Sequence, residues 1–130
     1  MSCRVFIADD VEALRVLWRQ FLEEDEDFVV VGEAADGRLA LAGVAETRPD
    51  VLVLDLSMPH VDGLEVLRSV TRTQPEVRVV VASGFAEARL GSLALELGAV
   101  GYFEKGGPAD DLRRLVREAW EAPTHRIVEP

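Results

Sequence analysis

The stretch VLVLDLSMP, Val51 to Pro59, decides how this chain is read. Four aliphatic residues run without a break and then meet a single acid, Asp55. A charge is costly inside a core and ordinary in a turn. An apolar run that does not alternate with polar residues fits a strand covered on both faces, so Asp55 falls where that strand surfaces.

Similar runs recur on either side: RVFIA (Arg4 to Ala8), FVVVGEA (Phe28 to Ala34), VRVVVA (Val77 to Ala82) and VGYF (Val100 to Phe103). Helical patterns separate them. Leu14, Leu17, Trp18, Phe21 and Leu22 share one face of a first helix, ahead of the polar break at Glu23 to Asp27. Asp36 is the expected N-cap of a second helix carrying Leu41, Val44 and Ala45, which ends before Pro49. Asp62, with Glu65 three residues later, reads as a capping box for a third helix bearing Leu64, Leu67 and Val70. A fourth, over about Ala86 to Leu97, carries Leu90, Leu93, Ala94 and Leu97, although Gly91 and its general apolarity blur the solvent face. A fifth opens with Pro108 in its first turn, has Asp110 and Asp111 where the helix dipole favours acids, and packs Leu112, Leu115, Val116, Ala119 and Trp120 before Pro123 stops it. Strands alternating with helices predict an α/β fold with a five-stranded parallel sheet and five helices.

The chain has 130 residues, 48% hydrophobic and 29% charged, which suits one globular domain. We expect that domain over residues 1–122, followed by a tail or truncated linker over 123–130. No apolar run is long enough for a bilayer, and MSCRVFIADD lacks the features of a signal peptide, so a cytoplasmic protein without a membrane partner is expected. The single cysteine, Cys3, reads as a small buried thiol. A formal net charge of −10 repels phosphate backbones, so direct nucleic acid binding by this domain is not expected.

Ligands of open parallel α/β sheets bind beyond the carboxyl ends of the strands. There the sequence places Asp9 and Asp10 after the first strand, Asp55 after the third, Ser83 after the fourth and Lys105 after the fifth. Each has a plain explanation alone: Asp9 or Asp10 as a helix cap, Asp55 and Ser83 as turn residues, Lys105 as loop cover. Together they demand more. Converging carboxylates repel one another by about a kcal/mol or more, and Lys105 supplies only one positive charge. An all-oxygen site suits Mg²⁺, which keeps open positions for phosphate oxygens. The chemistry that uses every one of these groups is phosphoryl transfer to a carboxylate, with Asp55 as nucleophile, Mg²⁺ and Lys105 offsetting charge, and the Ser83 hydroxyl bonding the product.

The motifs ADD (Ala8 to Asp10), PDVLVLDLSMPHVDGLEVL (Pro49 to Leu67), VVVASG (Val79 to Gly84) and GAVGYFEK (Gly98 to Lys105) resemble the receiver domain of bacterial two-component response regulators, from Arg4 to about Ala122. That resemblance implies a flavodoxin-like (CheY-like) doubly wound sheet of strand order 2-1-3-4-5. It also implies that Asp55 is the phosphoacceptor for a sensor histidine kinase. Asp10, Asp55 and the Ser57 carbonyl would bind Mg²⁺ directly, with Asp9 acting through water. Lys105 would contact the phosphoryl group, while Ser83 and Tyr102 would stand for the family's switch hydroxyl and switch aromatic. The domain would then act as a switch that assists its own phosphorylation and dephosphorylation, rather than as an enzyme proper. Its output would be read on the face of the fourth helix, fifth strand and fifth helix, by a partner or by a second copy in a homodimer. Arg113, Arg114 and Arg117, among Asp110, Asp111 and Glu118, are candidates for inter-subunit ion pairs or for plain solvated charge.

Two positions tune this pattern. Many members carry proline after the lysine, joined by a cis bond; here Gly106 and Gly107 follow, so trans bonds and a different loop are expected. The Lys-Gly form is similar to receivers joined to helix-turn-helix output domains and so to transcription regulation. Ser57 and Phe85 lie two residues beyond Asp55 and Ser83, where the family controls water access to the phosphoryl group. Phe85 is expected to slow loss of phosphate relative to Phe85→Ala; equal or faster loss from the wild type would refute this.

Three other functions compete with this reading. An aspartyl-phosphate phosphatase of the haloacid dehalogenase type needs a second acid where Ser57 stands. A flavodoxin needs hydroxyls and amides where ADDVEA, Ala8 to Ala13, places acids. A degenerate receiver acting only as a phosphorylation-independent binding module would not need all five site residues.

Overall fold

The computed structural model describes residues 2–58, 61–84 and 88–122. Five strands alternate with five helices: β1 (Cys3–Ala8), α1 (Glu12–Glu23), β2 (Phe28–Ala34), α2 (Gly37–Thr47), β3 (Val51–Asp55), α3 (Gly63–Thr73), β4 (Arg78–Ser83), α4 (Ala88–Glu96), β5 (Gly101–Glu104) and α5 (Ala109–Glu121). The strands form one sheet in the order β2-β1-β3-β4-β5, and every pairing is parallel. The expected flavodoxin-like order is therefore what the chain adopts.

Why β3 reads as an unbroken apolar run is now visible. Its odd and even side chains enter different cores: Leu52 and Leu54 join Phe6, Val66, Leu67, Val79 and Val81 on one face. Val51 and Val53 join Val5, Ile7, Trp18, Leu22, Val80, Leu112 and Val116 on the other. With both faces covered, period two demands apolar residues everywhere, and each buried aliphatic contributes roughly 1.5–3 kcal/mol. β3 lies between β1 and β4, with Leu54 paired to Ala8 and Asp55 to Ala82, which sets Asp55 at the carboxyl edge of the sheet's centre.

Asp36 and Asp62 are the N-caps of α2 and α3, as expected, with only the Asp62 half of the expected capping box recorded. The Asp36 carboxylate accepts the Leu39 N–H at 2.9 Å, and that of Asp62 accepts those of Leu64 and Glu65 at 2.8 and 3.1 Å. Some details differ. Leu17 is 40% exposed because it lies at the edge of the α1 stripe, whose buried centre is Trp18 and Leu22. In α2 the burial falls on Gly37, Ala40 and Val44, leaving Ala45 in solvent. Pro108 stands one residue before α5, in extended conformation at the N-cap, instead of inside the first turn. β4 and β5 each begin and end one residue later than expected, within the ordinary play of strand ends.

Arg113, Arg114 and Arg117 are engaged within the chain. Arg113 reaches Glu24, and Arg117 reaches Asp25 and Asp27 at 2.7 and 3.1 Å, tying α5 to the turn after α1, while Arg114 bonds Glu118 on its own helix. No cis peptide bond occurs among the described residues, as expected after Lys105, and Gly106 adopts φ +89°. Cys3 is fully buried. Among the described residues no helix is long and apolar enough to cross a membrane. The expected tail, 123–130, lies outside the described residues.

Candidate functional site

Topology delivers three strand ends to one edge, and the local backbone then fixes each side chain. Asp9 follows β1 and turns its carboxylate back on the chain, Oδ1 accepting the Val11 N–H at 2.7 Å. Asp55 closes β3 and accepts the Ser57 N–H at 3.0 Å through Oδ1. Helix α3 packs directly on this corner: a Cβ at Gly63 would fall 2.5 Å from the Leu56 Cα and 2.7 Å from the Asp55 carbonyl oxygen. Glycine is needed there for that close approach. Lys105 leaves β5 with its own N–H bonded to the Ser83 carbonyl oxygen at 2.9 Å, so its side chain starts beside the end of β4.

The charged groups then meet. Lys105 Nζ lies 2.8 Å from Asp9 Oδ2 and 3.1 Å from Asp55 Oδ1. Asp9 and Asp55 are essentially buried, at 0% and 1% exposure, whereas Asp10 is exposed. Carboxylate oxygens of Asp9, Asp10 and Asp55 all lie within 4.8 Å of one another. Three carboxylates against one ammonium leave the cluster at −2, an arrangement that costs free energy in a partly desolvated setting.

Titration follows from that imbalance. Burial pushes the Asp55 carboxyl above the ordinary carboxylate range; the Ser57 N–H pulls it down, the charge of Asp9 pushes it up again, and Lys105 opposes without reversing the result. For Lys105, burial works against the charged form but is outweighed by the hydrogen bond to Asp9 and the charge of Asp55, so the ammonium is held above its usual value. Lys105 is therefore a fixed cation at neutral pH.

Among the described residues, Asp55 Oδ2 is buried without a hydrogen-bond partner, and Asp9 Oδ2 has only the Lys105 ammonium beside it. An orphaned buried carboxylate oxygen such as Asp55 Oδ2 is rare and calls for an occupant. Excess negative charge and an all-oxygen donor set fit a hard dication such as Mg²⁺, held by few protein ligands and open to phosphate oxygens.

Beside the cluster, the fully buried Ser83 hydroxyl donates to the Tyr102 hydroxyl oxygen at 3.1 Å. The ring of Tyr102 lies against α4 over Gly91, where a Cβ would stand 2.6 Å from two ring carbons. Ser57 is exposed, and Phe85 lies outside the described residues. The structure thus gathers Asp9, Asp10, Asp55 and Lys105, and joins Ser83 to Tyr102. Sequence reasoning missed Gly63 and Gly91. The only signal for them was glycine at a helix start and inside a helix, which by itself suggests a cap or a weak helix.

Known proteins share this fold. The chain is 32% identical over 130 residues to the response regulator protein VraR of Staphylococcus epidermidis, covering all of this chain and 61% of that protein. It thus spans less than two thirds of that relative's length. Among solved structures, the response regulator domain of Thermotoga maritima CheB superposes with a TM-score of 0.88 at 28% identity, over 95% of this chain and 99% of that one. The REC domain of AraT, a response regulator from Geobacillus stearothermophilus, gives 0.86 at 34% identity, over 93% and 95%. Residues 5–117 match the family model described as the response regulator receiver domain, and the chain belongs to that family of phosphorylation-controlled regulatory switches.

Proposed function

We propose that Asp55 accepts a phosphoryl group from a sensor histidine kinase, and that the chain works as a switch and not as an enzyme on an external substrate. The observation that carries this reading is the Asp55 carboxylate, whose Oδ1 lies 3.1 Å from the Lys105 ammonium while its buried Oδ2 has no hydrogen-bond partner among the described residues. One Asp55 oxygen forms a bond to phosphorus as the bond from phosphorus to the donor breaks, the electron pair leaving with the kinase imidazole or, for a small donor, with acetate. Lys105 stays protonated and offsets charge on the phosphoryl oxygens. Asp10, Asp55 and the Ser57 carbonyl, with Asp9 through water, are the groups that would hold Mg²⁺. When bound, that ion supplies Lewis-acid stabilisation of the phosphoryl oxygens.

Ser83 would exchange its bond to Tyr102 for one to the phosphoryl group, releasing the Tyr102 hydroxyl and altering the surface of α4, β5 and α5. A partner or second copy would read that surface. Because Arg113, Arg114 and Arg117 are already engaged within the chain, a homodimer there would draw on exposed Leu93 and Leu95 of α4. A cytoplasmic location and a helix-turn-helix output acting in transcription regulation complete the proposal, in keeping with the greater length of the relatives. We assign the receiver to residues 1–122.

Incubation with acetyl phosphate and Mg²⁺, followed by intact mass, tests the reading. The wild type is expected to gain one phosphoryl group and Asp55→Asn none; an unmodified wild type would overturn it.

A further inference from the structure

Asp9 is held more completely than a loop residue needs to be. Its N–H donates to the Ala34 carbonyl oxygen at 3.0 Å, its Oδ1 accepts from Val11, and its own carbonyl oxygen accepts from Arg15 Nη1 at 2.7 Å. The only polar atom of Asp9 left to face the cluster is Oδ2. The third of these bonds comes from the second turn of α1 and reaches back across a helix start that has no side-chain cap, since the N-cap residue is Val11.

Arg15 is itself fixed. Its side chain is 14% exposed, and its Nε donates to Glu33 Oε1 at 3.1 Å. Glu33 sits on β2, in register with Ile7 of β1, so its carboxylate is anchored to the strand beside the one that leads into Asp9. Arg19 Nε takes the second oxygen, Glu33 Oε2, at 2.7 Å. Two donors of one planar guanidinium thus bridge the sheet to the carbonyl of Asp9, a geometry that a single ammonium cannot reproduce.

We propose that Arg15, locked by Glu33, is a positioning residue that sets the Asp9–Asp10 turn in its cation-binding conformation before any cation arrives. The clamp rests on the phosphoacceptor reading only for the identity of the cation. Without this clamp the turn would have to be ordered at the cost of cation affinity, because two neighbouring acids repel and, among the described residues, nothing else holds the Asp9 carbonyl oxygen. Groups that orient metal ligands from behind typically change affinity by about 10- to 100-fold when removed. Chemistry at a saturated site, by contrast, should be untouched, since the Arg15 guanidinium bonds Glu33 and the Asp9 carbonyl oxygen and, among the described residues, makes no recorded bond to Asp55.

The test is Mg²⁺ calorimetry on the intact chain, paired with acetyl phosphate labelling rates across Mg²⁺ concentrations. Arg15→Met is expected to weaken Mg²⁺ binding about tenfold, with the labelling rate at saturating Mg²⁺ unchanged. Arg15→Lys should recover only part of the affinity. Glu33→Gln, which keeps an acceptor for Nε, should stay near wild type, whereas Glu33→Ala should follow Arg15→Met; Arg19→Met, losing only the outer bond, should bind normally. If Arg15→Met fails to fold, Glu33→Ala carries the test. Wild-type affinity in either decisive variant would reduce the clamp to a purely structural contact and overturn the proposal, as would a wild type that binds no Mg²⁺. A wild type that binds Mg²⁺ yet gains no phosphate would sink the phosphoacceptor reading alone, leaving the clamp to be judged by calorimetry.

Discussion

The ring of Tyr102 occupies the space that a side chain on Gly91 would need: an added Cβ would stand 2.6 Å from both Cδ1 and Cε1 and 3.0 Å from Cγ. Because Cγ lies at the root of the ring, a small tilt does not relieve the clash. Helix α4 therefore helps hold the phenol against Ser83, and a weak helix former at position 91 is the condition for it. Alanine would raise helix propensity by about 1 kcal/mol, while overpacking costs about 1–3 kcal/mol. Gly91→Ala is thus expected to cost up to about 2 kcal/mol and to break the Ser83–Tyr102 hydrogen bond. The Tyr102 ring resonances should shift as they do in Ser83→Ala. An unmoved ring in Gly91→Ala would contradict this packing.

Asp55 should destabilise the metal-free protein at neutral pH. Its carboxyl is raised in the fold by burial and by Asp9, so the folded state holds the proton more tightly than the unfolded chain does. The associated stability is complete below the unfolded carboxylate pKa and is lost as pH rises through the higher folded value. Without Mg²⁺, Asp55→Asn is expected to melt above wild type at pH 7, with the gap closing in acid below about pH 4. Saturating Mg²⁺ should also narrow the gap by stabilising the wild type. A lower melting temperature for Asp55→Asn at pH 7 would contradict the electrostatic account of the site.

Cys3 should be inert in the fold. Burial first, then the charge of Asp50, pushes its thiol up to about 12, against the opposing effect of Arg117 and Arg78. An alkylating reagent at pH 8 should leave the native protein unmodified and label it on unfolding. Because the folded pKa is raised, stability should fall as pH climbs from about 9 towards 12, by up to about 1.4 kcal/mol per pH unit, and Cys3→Ala should lack this slope. An identical slope in Cys3→Ala would show that other groups produce it.

Gly106 adopts a backbone conformation that proline cannot. Its φ of +89° is closed to proline, whose ring fixes φ near −65°, and is strained for any side chain. A Cβ added at this position would meet no atom within 4 Å, so Gly106→Ala should cost only the conformational term, about 1–2 kcal/mol by denaturant unfolding. Gly106→Pro should additionally displace Lys105 and weaken Mg²⁺ binding and labelling. A Gly106→Pro protein as competent as wild type would show that the loop tolerates the other geometry.

The large features were legible in the sequence because they arise from chain-local regularities. Continuous aliphatic runs marked doubly covered strands, and Asp36 and Asp62 marked helix starts. The carboxyl ends of the strands singled out Asp9, Asp10, Asp55, Ser83 and Lys105. Long-range polar partners were not legible. Nothing in the spacing says that Arg15 turns back to the carbonyl of Asp9, or that Arg117 crosses to Asp25 and Asp27. Such bonds depend on where a long side chain lies after packing, not on periodicity. Leu17 departs from expectation for a related reason: helical spacing names a stripe, but only the neighbouring elements decide how wide a stripe they cover.

Chemical mapping can locate the phosphorylated residue. Borohydride reduces an aspartyl phosphate to homoserine, so protein treated with acetyl phosphate and Mg²⁺, reduced and sequenced by mass spectrometry should carry homoserine at position 55. Aspartate persisting at 55 in labelled protein, with homoserine at 9, 10 or elsewhere, would contradict it.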